Sequence, residues 1–560
     1  MAFFSRAHIC QCLTRLSTAR GKSVVTVSCN RVKTGEQFVG QVLSLASGLL
    51  ELGLRPGDVV AICAFNSDLY LEWLLAVAFV GGIVAPLNFR WSYKEAEWAL
   101  LSVCPVMLVT DKSCNSWNSE LDRSTINCVR WRVSLGSSSS FHPQLDKGLQ
   151  MEAVKGNITR TQKLSYSWAP DAAVIICFTS GTTGNPKGVL INHSALIIQS
   201  LAKVAIVGYD ENDIYLHTTP LCHIGGLSSA LAMLMVGGCH IMIPKFDANL
   251  AANTIKSNSV TSLITVPAIM ADLIFTTRKN DDTSKYQTVT KILNGGGSLS
   301  NQLLMSAKKC FPRARILSAY GMTEACSSLT FMSLHDPISE NYGQIGRSIS
   351  IHQPEGVCVG KPAPHVDLKI HFDESQTHGK IMVRGPHLMV RYWEQNGHSS
   401  PSREEEGDEA WLDTGDVGSI DMDGNLWLIG RANGRIKSGG ENVYPEEVEA
   451  ILLEHPSIAA AVAIGIHDTR LTEMVVACIK LRSNWQWSDS QTASVLEDEG
   501  VVCKENLRSY CKEKNLTRFK VPKMFFLWSP PFPLTTTGKV RRDQLRLEVM
   551  SRLQILHSCM

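Results

Sequence analysis

The chain has 560 residues, with 54 basic and 52 acidic side chains and a formal charge of +2. That length calls for two or more domains with ample core, and the near-zero charge excludes a nucleic-acid polyanion as the main partner. The 17 cysteines are scattered without a paired Cys-x-x-Cys framework. Cys10 and Cys12, the closest pair, fit no usual zinc spacing, so the cysteines read as reduced thiols, many buried as small hydrophobes.

In chain order, Gln37 to Leu52 carries apolar residues at helical spacing (Phe38, Val42, Leu45, Leu49) and stops at Gly53. Arg55-Pro56-Gly57-Asp58 is a turn, Val59 to Ala64 a strand, Ser67 to Val80 a helix apolar nearly all round and therefore buried. Val84 to Asn88 returns to the sheet. This alternation implies a layered α/β domain. Val106 to Val109 is a further strand, and the serine-rich stretch Ser113 to Lys163 reads as loops. Two apolar stretches are checked against a membrane: Trp73 to Leu87 is too short to span, and Ile224 to Pro244 is broken by Gly225, Gly226, Gly237 and Gly238. Both read as core helix–strand segments. No internal repeat is visible.

The chemistry starts at Ala173 to Phe178, an apolar β-prone run that enters Thr179-Ser180-Gly181-Thr182-Thr183-Gly184-Asn185-Pro186-Lys187-Gly188. Glycines let backbone approach closely, successive N–H groups form an oxyanion concavity, and Lys187 adds a point charge. The string is not a Walker A loop, because Gly188 follows the lysine where Ser or Thr is required. A Gly/Ser/Thr loop on its own reads equally as a flexible surface loop.

Ser194 to Tyr209 reads as a helix. Ile214 to Gly226 reads as a strand entering a glycine turn, with His217 and His223 along it; a lone histidine is more often a satisfied polar residue than a catalyst. Lys291 to Ser298 is a strand and a glycine turn, where Gly295, Gly296 and Gly297 let a flat ring lie against bare backbone. In Ala319-Tyr320-Gly321-Met322-Thr323-Glu324 the tyrosine can stack on a purine and the threonine can donate to a phosphate. A carboxylate beside phosphates needs a cation between, so Glu324 implies Mg²⁺; the alternative is a strand end with a solvated glutamate. In Trp411 to Asp416, Asp416 suits ribose hydroxyls and Asp413 suits fixing the loop. Asp421 to Asn425 is a hairpin turn. Pro445 starts a helix after Gly439-Gly440, and the small C-terminal region reads as strand, helix, strand. Lys539, in Thr535-Thr536-Thr537-Gly538-Lys539, would be a solvated charge if it stood alone.

These strings, in this order, resemble the signatures of the adenylate-forming superfamily of acyl-CoA synthetases, luciferases and peptide-synthetase adenylation domains. The resemblance runs from about Gly40 to Arg542. It implies an α/β fold with a large N-terminal AMP- and acyl-binding domain (1–430) and a small mobile α+β C-terminal domain (431–560). It implies an AMP-forming acid–thiol ligase using ATP, Mg²⁺ and coenzyme A. It places the β- and γ-phosphates on Thr179 to Lys187, the acyl group beside His223, and adenine and acyl group beside Gly295 to Gly297. It gives Arg431 a nucleotide contact, puts Gly439 and Gly440 at the pantetheine tunnel, and makes Lys539 the catalytic lysine of the first step. A rotation about Asn433 would then remove Lys539. The family often has an acidic hinge; here the hinge reads Ala432-Asn433-Gly434.

His223 to Ser228, Leu293 to Leu299 and Tyr320 to Ser328 are most similar to the branch that acts on 2-succinylbenzoate, which has a second, aromatic carboxylate to recognise. Ser228, His223 and Asn294 are its candidate donors. That branch implies chloroplast or peroxisome. No acidic residue precedes Glu36, as in a transit peptide, although the family's early helix leaves little room for one. The terminal Ser-Cys-Met shares only part of a peroxisomal address. Alternatives are a fatty-acyl or coumarate-type aryl ligase, and an inactive relative that only binds.

Overall fold

The computed structural model describes residues 7–114, 126–136, 148–156, 165–180, 186–279, 286–338, 357–372, 378–393, 403–404, 411–431, 434–488, 500–533 and 540–558. By internal packing the chain divides into a unit of residues 1–89, 96–179 and 187–430 and a unit of residues 90–95, 180–186 and 431–560.

The larger unit is built on a sheet of eight strands and a sheet of fourteen. In the first, Val59–Cys63 lies between Ile83–Pro86 and Met107–Thr110, all parallel, and Ala173–Ser180 pairs with Ile83–Pro86. Val59–Cys63 is buried at every position, so it reads as an unbroken apolar run rather than an alternating one. The helix Gly35–Glu51 opens with a capping box between Thr34 and Gln37. The helix Asp68–Phe79 is capped by Ser67 and buries Tyr70 and Trp73 completely.

That buried helix takes two N-terminal cations as counter-ions. Its Asp68 is fully buried and is held by Arg31 at 2.6 Å and Lys33 at 2.8 Å, and Lys33 also reaches Glu72 at 2.5 Å. Ile9, Leu13 and Leu16 are buried in the same core. From His8 onward the arginine-rich segment is therefore folded structure with counter-ion duties.

The second sheet carries the parallel series Ile214–His217, Ser262–Thr265, Lys291–Asn294 and Arg315–Met322. Ser327–His335 then returns antiparallel to the last of these. Ligands of parallel α/β sheets bind beyond the carboxyl ends of such strands. Here those ends carry Asn294 and Tyr320.

Several expected elements differ. Gly225 and Gly226 do not form a turn; they lie in the first turn of the helix Ile224–Val236, with His223 at the N-cap position. Gly226 is needed there because a Cβ would stand 2.5 Å from the Pro220 carbonyl oxygen. The expected helix Ser194–Tyr209 is α-helical over His193–Lys203 and π-helical over Val204–Gly208. Within the serine-rich stretch, Trp131–Ser134 pairs parallel with Met107–Thr110, and Gly148–Gln150 and Met151–Val154 are a strand and a short helix. Short edge elements draw their stability from the sheet, which local composition does not show.

In the smaller unit, Ile458–Asp468 and Thr472–Leu481 form an antiparallel hairpin, with a turn rather than a helix between these two strands. Asp468 Oδ1 accepts the backbone N–H groups of Arg470 and Leu471 at 2.9 and 2.7 Å, an Asx-type turn. The helices Pro445–Leu453, Lys504–Glu513 and Arg542–Ser558 cover this sheet. Among the described residues no helix is long and apolar enough to cross a membrane.

Candidate active site

The strand Arg315–Met322 presents Ala319, Tyr320, Gly321 and Met322, then tightens into a 3-10 turn, Thr323–Ala325. Gly321 is obligatory, since a Cβ would stand 1.6 Å from the Ser327 carbonyl oxygen on the returning strand. Tyr320 is buried, and its hydroxyl donates to Asp416 Oδ2 at 2.5 Å. Asp416 lies on the strand Trp411–Ile420, which pairs with Gly379–Arg384. Its backbone N–H donates to Thr414 Oγ1, whose own proton goes to the Ile381 carbonyl. Asp413 Oδ1 accepts the Gly415 N–H at 2.7 Å and so fixes the backbone beside Asp416.

Glu324 is buried. Its Oε1 accepts from Tyr392 Oη at 3.0 Å, and its carbonyl accepts the Met389 N–H. Lys187 Nζ lies 5.7 Å from the Tyr392 ring centroid, within cation–π range. Tyr392 thus joins the lysine of the Thr179–Gly188 string to the carboxylate of the Tyr320–Glu324 string. Sequence reading assigned Tyr392 no task. The signal was its strand, Arg391–Trp393, which pairs with Pro186–Asn192.

Lys187 is correspondingly an exposed strand residue rather than part of a loop. Gly188 has no room for a side chain: a Cβ would meet Ile176 Cγ2 at 2.7 Å. Thr179 and Ser180 are the last two residues of the preceding strand, Ala173–Ser180. Gly181, Thr182, Thr183 and Gly184 lie outside the described residues, as do Lys539 and the hinge residues Ala432 and Asn433.

Mg²⁺ is commonly held by one or two carboxylates and completed by phosphate oxygens and water. Glu324, buried and next to the lysine-bearing strand, is the residue that fits this role.

Asn294 is fully buried at a strand end and its Nδ2 donates to the Gly297 carbonyl at 2.7 Å, bracing the triple-glycine bend. Gly296 needs its freedom, with φ +70°, while Gly295 faces open space. His223 stands at the N-cap position of the helix that begins at Ile224, without a side-chain capping bond. His217 turns away to a buried partner, His240, with ring nitrogens 2.9 Å apart, so its role is structural. Arg431 ends the strand Leu426–Arg431. In the smaller unit Gly439 and Gly440 form the turn between Ile436–Ser438 and Glu441–Val443, with φ +60° and +87°.

Sequence reading missed a buried cation. Lys203 ends the helix His193–Lys203, is 1% exposed, and its ammonium donates to Ser228 Oγ at 2.6 Å and to Ser229 Oγ and Ser327 Oγ at 3.1 Å each. Burial pulls its pKa down to about 7.

Tyr320 tied to Asp416 and Glu324 tied to Tyr392 stand at the end of a strand of the larger sheet, where α/β folds bind ligands. The profile of the AMP-binding enzyme family matches residues 16–393, and that of the AMP-binding enzyme C-terminal domain matches residues 447–539. The chain belongs to the AMP-binding enzyme family. It is 57% identical over 565 residues to a chloroplastic/peroxisomal 2-succinylbenzoate–CoA ligase of Arabidopsis thaliana, covering 100% of both chains. The o-succinylbenzoate CoA synthetase of Bacillus subtilis, bound to a product analogue, superposes with a TM-score of 0.73 at 25% identity, covering 96% of this chain and 98% of that one. The same Bacillus subtilis enzyme in complex with ATP and magnesium ion gives a TM-score of 0.62 at 25% identity, covering 96% and 99%.

Proposed function

We propose that this chain is an AMP-forming acid–thiol ligase that joins 2-succinylbenzoate to coenzyme A. The observation that carries this reading is the 57% identity over the whole chain to the plant ligase, in a molecule whose Tyr320–Asp416 and Glu324–Tyr392 pairs are assembled.

The reaction takes two steps. A carboxylate oxygen of the succinyl arm attacks the α-phosphorus of ATP, and pyrophosphate leaves. The thiolate of coenzyme A then attacks the acyl carbon, and AMP leaves. A carboxylate is already a nucleophile, so the first step needs positioning and charge stabilisation rather than a general base. Tyr320 stacks on adenine and Asp416 accepts the ribose hydroxyls. Thr179 to Lys187 holds the β- and γ-phosphates, and Thr323 donates to the α-phosphate. Glu324 holds Mg²⁺, which supplies neutralising charge at the phosphates. Lys539 bridges carboxylate and α-phosphate oxygens. His223 and Gly295 to Gly297 border the acyl group, Arg431 touches the nucleotide, and Gly439 and Gly440 border the pantetheine arm.

The plant relative is chloroplastic/peroxisomal, and we assign this chain to those compartments. The test of function is thioester formation with ATP, Mg²⁺ and coenzyme A, comparing 2-succinylbenzoate with coumarate, benzoate and medium-chain fatty acids. Preference for 2-succinylbenzoate is expected. Activity confined to the other acids would keep the mechanism and discard the substrate.

A further inference from the structure

2-Succinylbenzoate presents two carboxylates, and only the aliphatic one reacts. The ring carboxylate enters a cleft, where an anion needs donors or a counter-charge. The hydroxyl and amide candidates beside the acyl group already serve protein acceptors, although the Asn294 amide keeps a second N–H. Ser228 has one proton, and it goes to the Ile224 carbonyl at 2.7 Å. The Asn294 amide serves the Gly297 carbonyl. Neither group carries charge.

Lys203 does. Among the described residues, every hydrogen-bond partner of its ammonium is neutral: the hydroxyls of Ser228, Ser229 and Ser327, and the Gly225 carbonyl at 3.4 Å. A buried ammonium without a carboxylate is unfavourable, and an apolar side chain of similar volume would normally be more stable in its place. Three features put the cost at one spot. The π-helical turn Val204–Gly208 starts directly after Lys203, and such turns concentrate at functional sites. Cys326 and Ser327, neither a glycine, take φ +54° and +119° beside it, a backbone strain also typical of such sites. Gly225 is bare without being crowded: a Cβ there would find only Ile264 Cδ1, at 3.9 Å. The residue whose carbonyl lies 3.4 Å from the buried cation thus has open space on the side where a Cβ would stand.

We infer that Lys203 determines specificity by providing the counter-charge for the ring carboxylate of 2-succinylbenzoate, received at the Gly225 face with the Ser327 hydroxyl. The inference rests on the substrate reading above. An arriving anion compensates the buried ammonium, so a substrate lacking that group leaves the cation unpaired. Discrimination of this kind is strong because the mismatched complex strands a buried charge.

The test compares 2-succinylbenzoate with 4-oxo-4-phenylbutanoate, the same keto acid without the ring carboxylate, in the full chain and in Lys203→Met. Ser228 and Ser229 keep their backbone acceptors, the Ile224 and Gly225 carbonyls, so the variant is expected to melt no lower than the parent. Lys203→Met should lower kcat/KM for 2-succinylbenzoate by about 100-fold and leave that for the analogue nearly unchanged. An equal loss on both acids would mean a structural role and overturn the inference, as would a preference that survives the substitution. A parent without any preference for 2-succinylbenzoate would overturn the substrate reading as well. The unmodified protein gives a second readout. The titrating neighbour of Lys203 is Cys326, whose thiol burial pushes up to about 12, so it stays neutral. The preference should therefore fall between about pH 6 and about pH 10 as the ammonium is lost; a constant preference over that range would contradict the assignment.

Discussion

Tyr320 and Asp416 are hydrogen-bonded at 2.5 Å although 96 residues separate them in the chain. The pair sets the orientation of a ring and of a carboxylate before any nucleotide arrives, and both belong to strands of one sheet. Tyr320→Phe keeps the ring and removes the bond, so KM for ATP is expected to rise about 10-fold with little change in kcat. Asp416→Asn removes the charge-assisted acceptor and should cost about 100-fold in kcat/KM for ATP. Steady-state kinetics with varied ATP decides; an Asp416→Asn enzyme with parental KM would remove the ribose assignment.

Glu324 shares Tyr392 with Lys187. Glu324→Gln preserves size and the ability to accept from Tyr392 while removing the charge that suits Mg²⁺. Pyrophosphate release should fall by about 100-fold and should demand a higher Mg²⁺ concentration for half-maximal rate. Tyr392→Phe is expected to produce a smaller loss, about 10-fold. If Glu324→Gln showed an unchanged Mg²⁺ requirement, the metal would be held elsewhere.

Lys539 is assigned to the first half-reaction alone. Lys539→Ala is expected to reduce adenylate formation by about 1,000-fold while thioester formation from pre-made acyl-adenylate stays within a few-fold of the parent. Single-turnover measurement of the two half-reactions separates them. Equal loss in both would show that the lysine does not act selectively in adenylation.

Acid should destabilise the fold through its buried histidines. Burial lowers His8 to about 4, His193 to about 3, His240 to about 3 and His387 to about 4, and burial together with the neighbouring His240 drives His217 well down. Each is neutral when folded and takes up a proton near pH 6.5 when unfolded. Their stabilising contribution is full above about pH 6.5 and is lost as pH falls from there toward the folded values. Glu72 acts in the opposite sense: burial raises it to about 7, so its contribution is lost as pH rises from the usual carboxylate range through about 7. Five histidines outweigh one glutamate. Urea denaturation at about pH 7.5, 6.5 and 5.5 should show stability falling by about 1.4 kcal/mol over the whole range for each suppressed histidine, most of it below about pH 6.5. Equal or greater stability at the lowest pH would disprove the collective effect.

The sequence was most informative where chemistry needs consecutive residues. The Tyr320–Glu324 string ends a strand as expected, and the Asp421–Asn425 hairpin turn is built by Asp421 accepting the Asn425 N–H at 2.8 Å. Glycine spacing, turn chemistry and apolar runs act over a few residues, so they survive in one dimension. Elements stabilised by a neighbouring strand, such as Trp131–Ser134, left no comparable trace.

By itself the sequence determined the α/β class, the AMP-binding family and the inventory of phosphate-, ribose- and metal-type residues, because these rest on local backbone chemistry. Only the tertiary structure decided which residues meet. It tied Tyr320 to Asp416, inserted Tyr392 between Lys187 and Glu324, and turned Arg31 and Lys33 into counter-ions of a buried helix. It also changed the meaning of Lys203. In the sequence that residue is an ordinary cation at a helix C-terminus, where the helix dipole favours positive charge. Folding places helix, returning strand and glycine-opened turn around it, and exclusion of water turns a commonplace lysine into an uncompensated buried charge. Burial is a property of the packed chain, and no local pattern of residues encodes it.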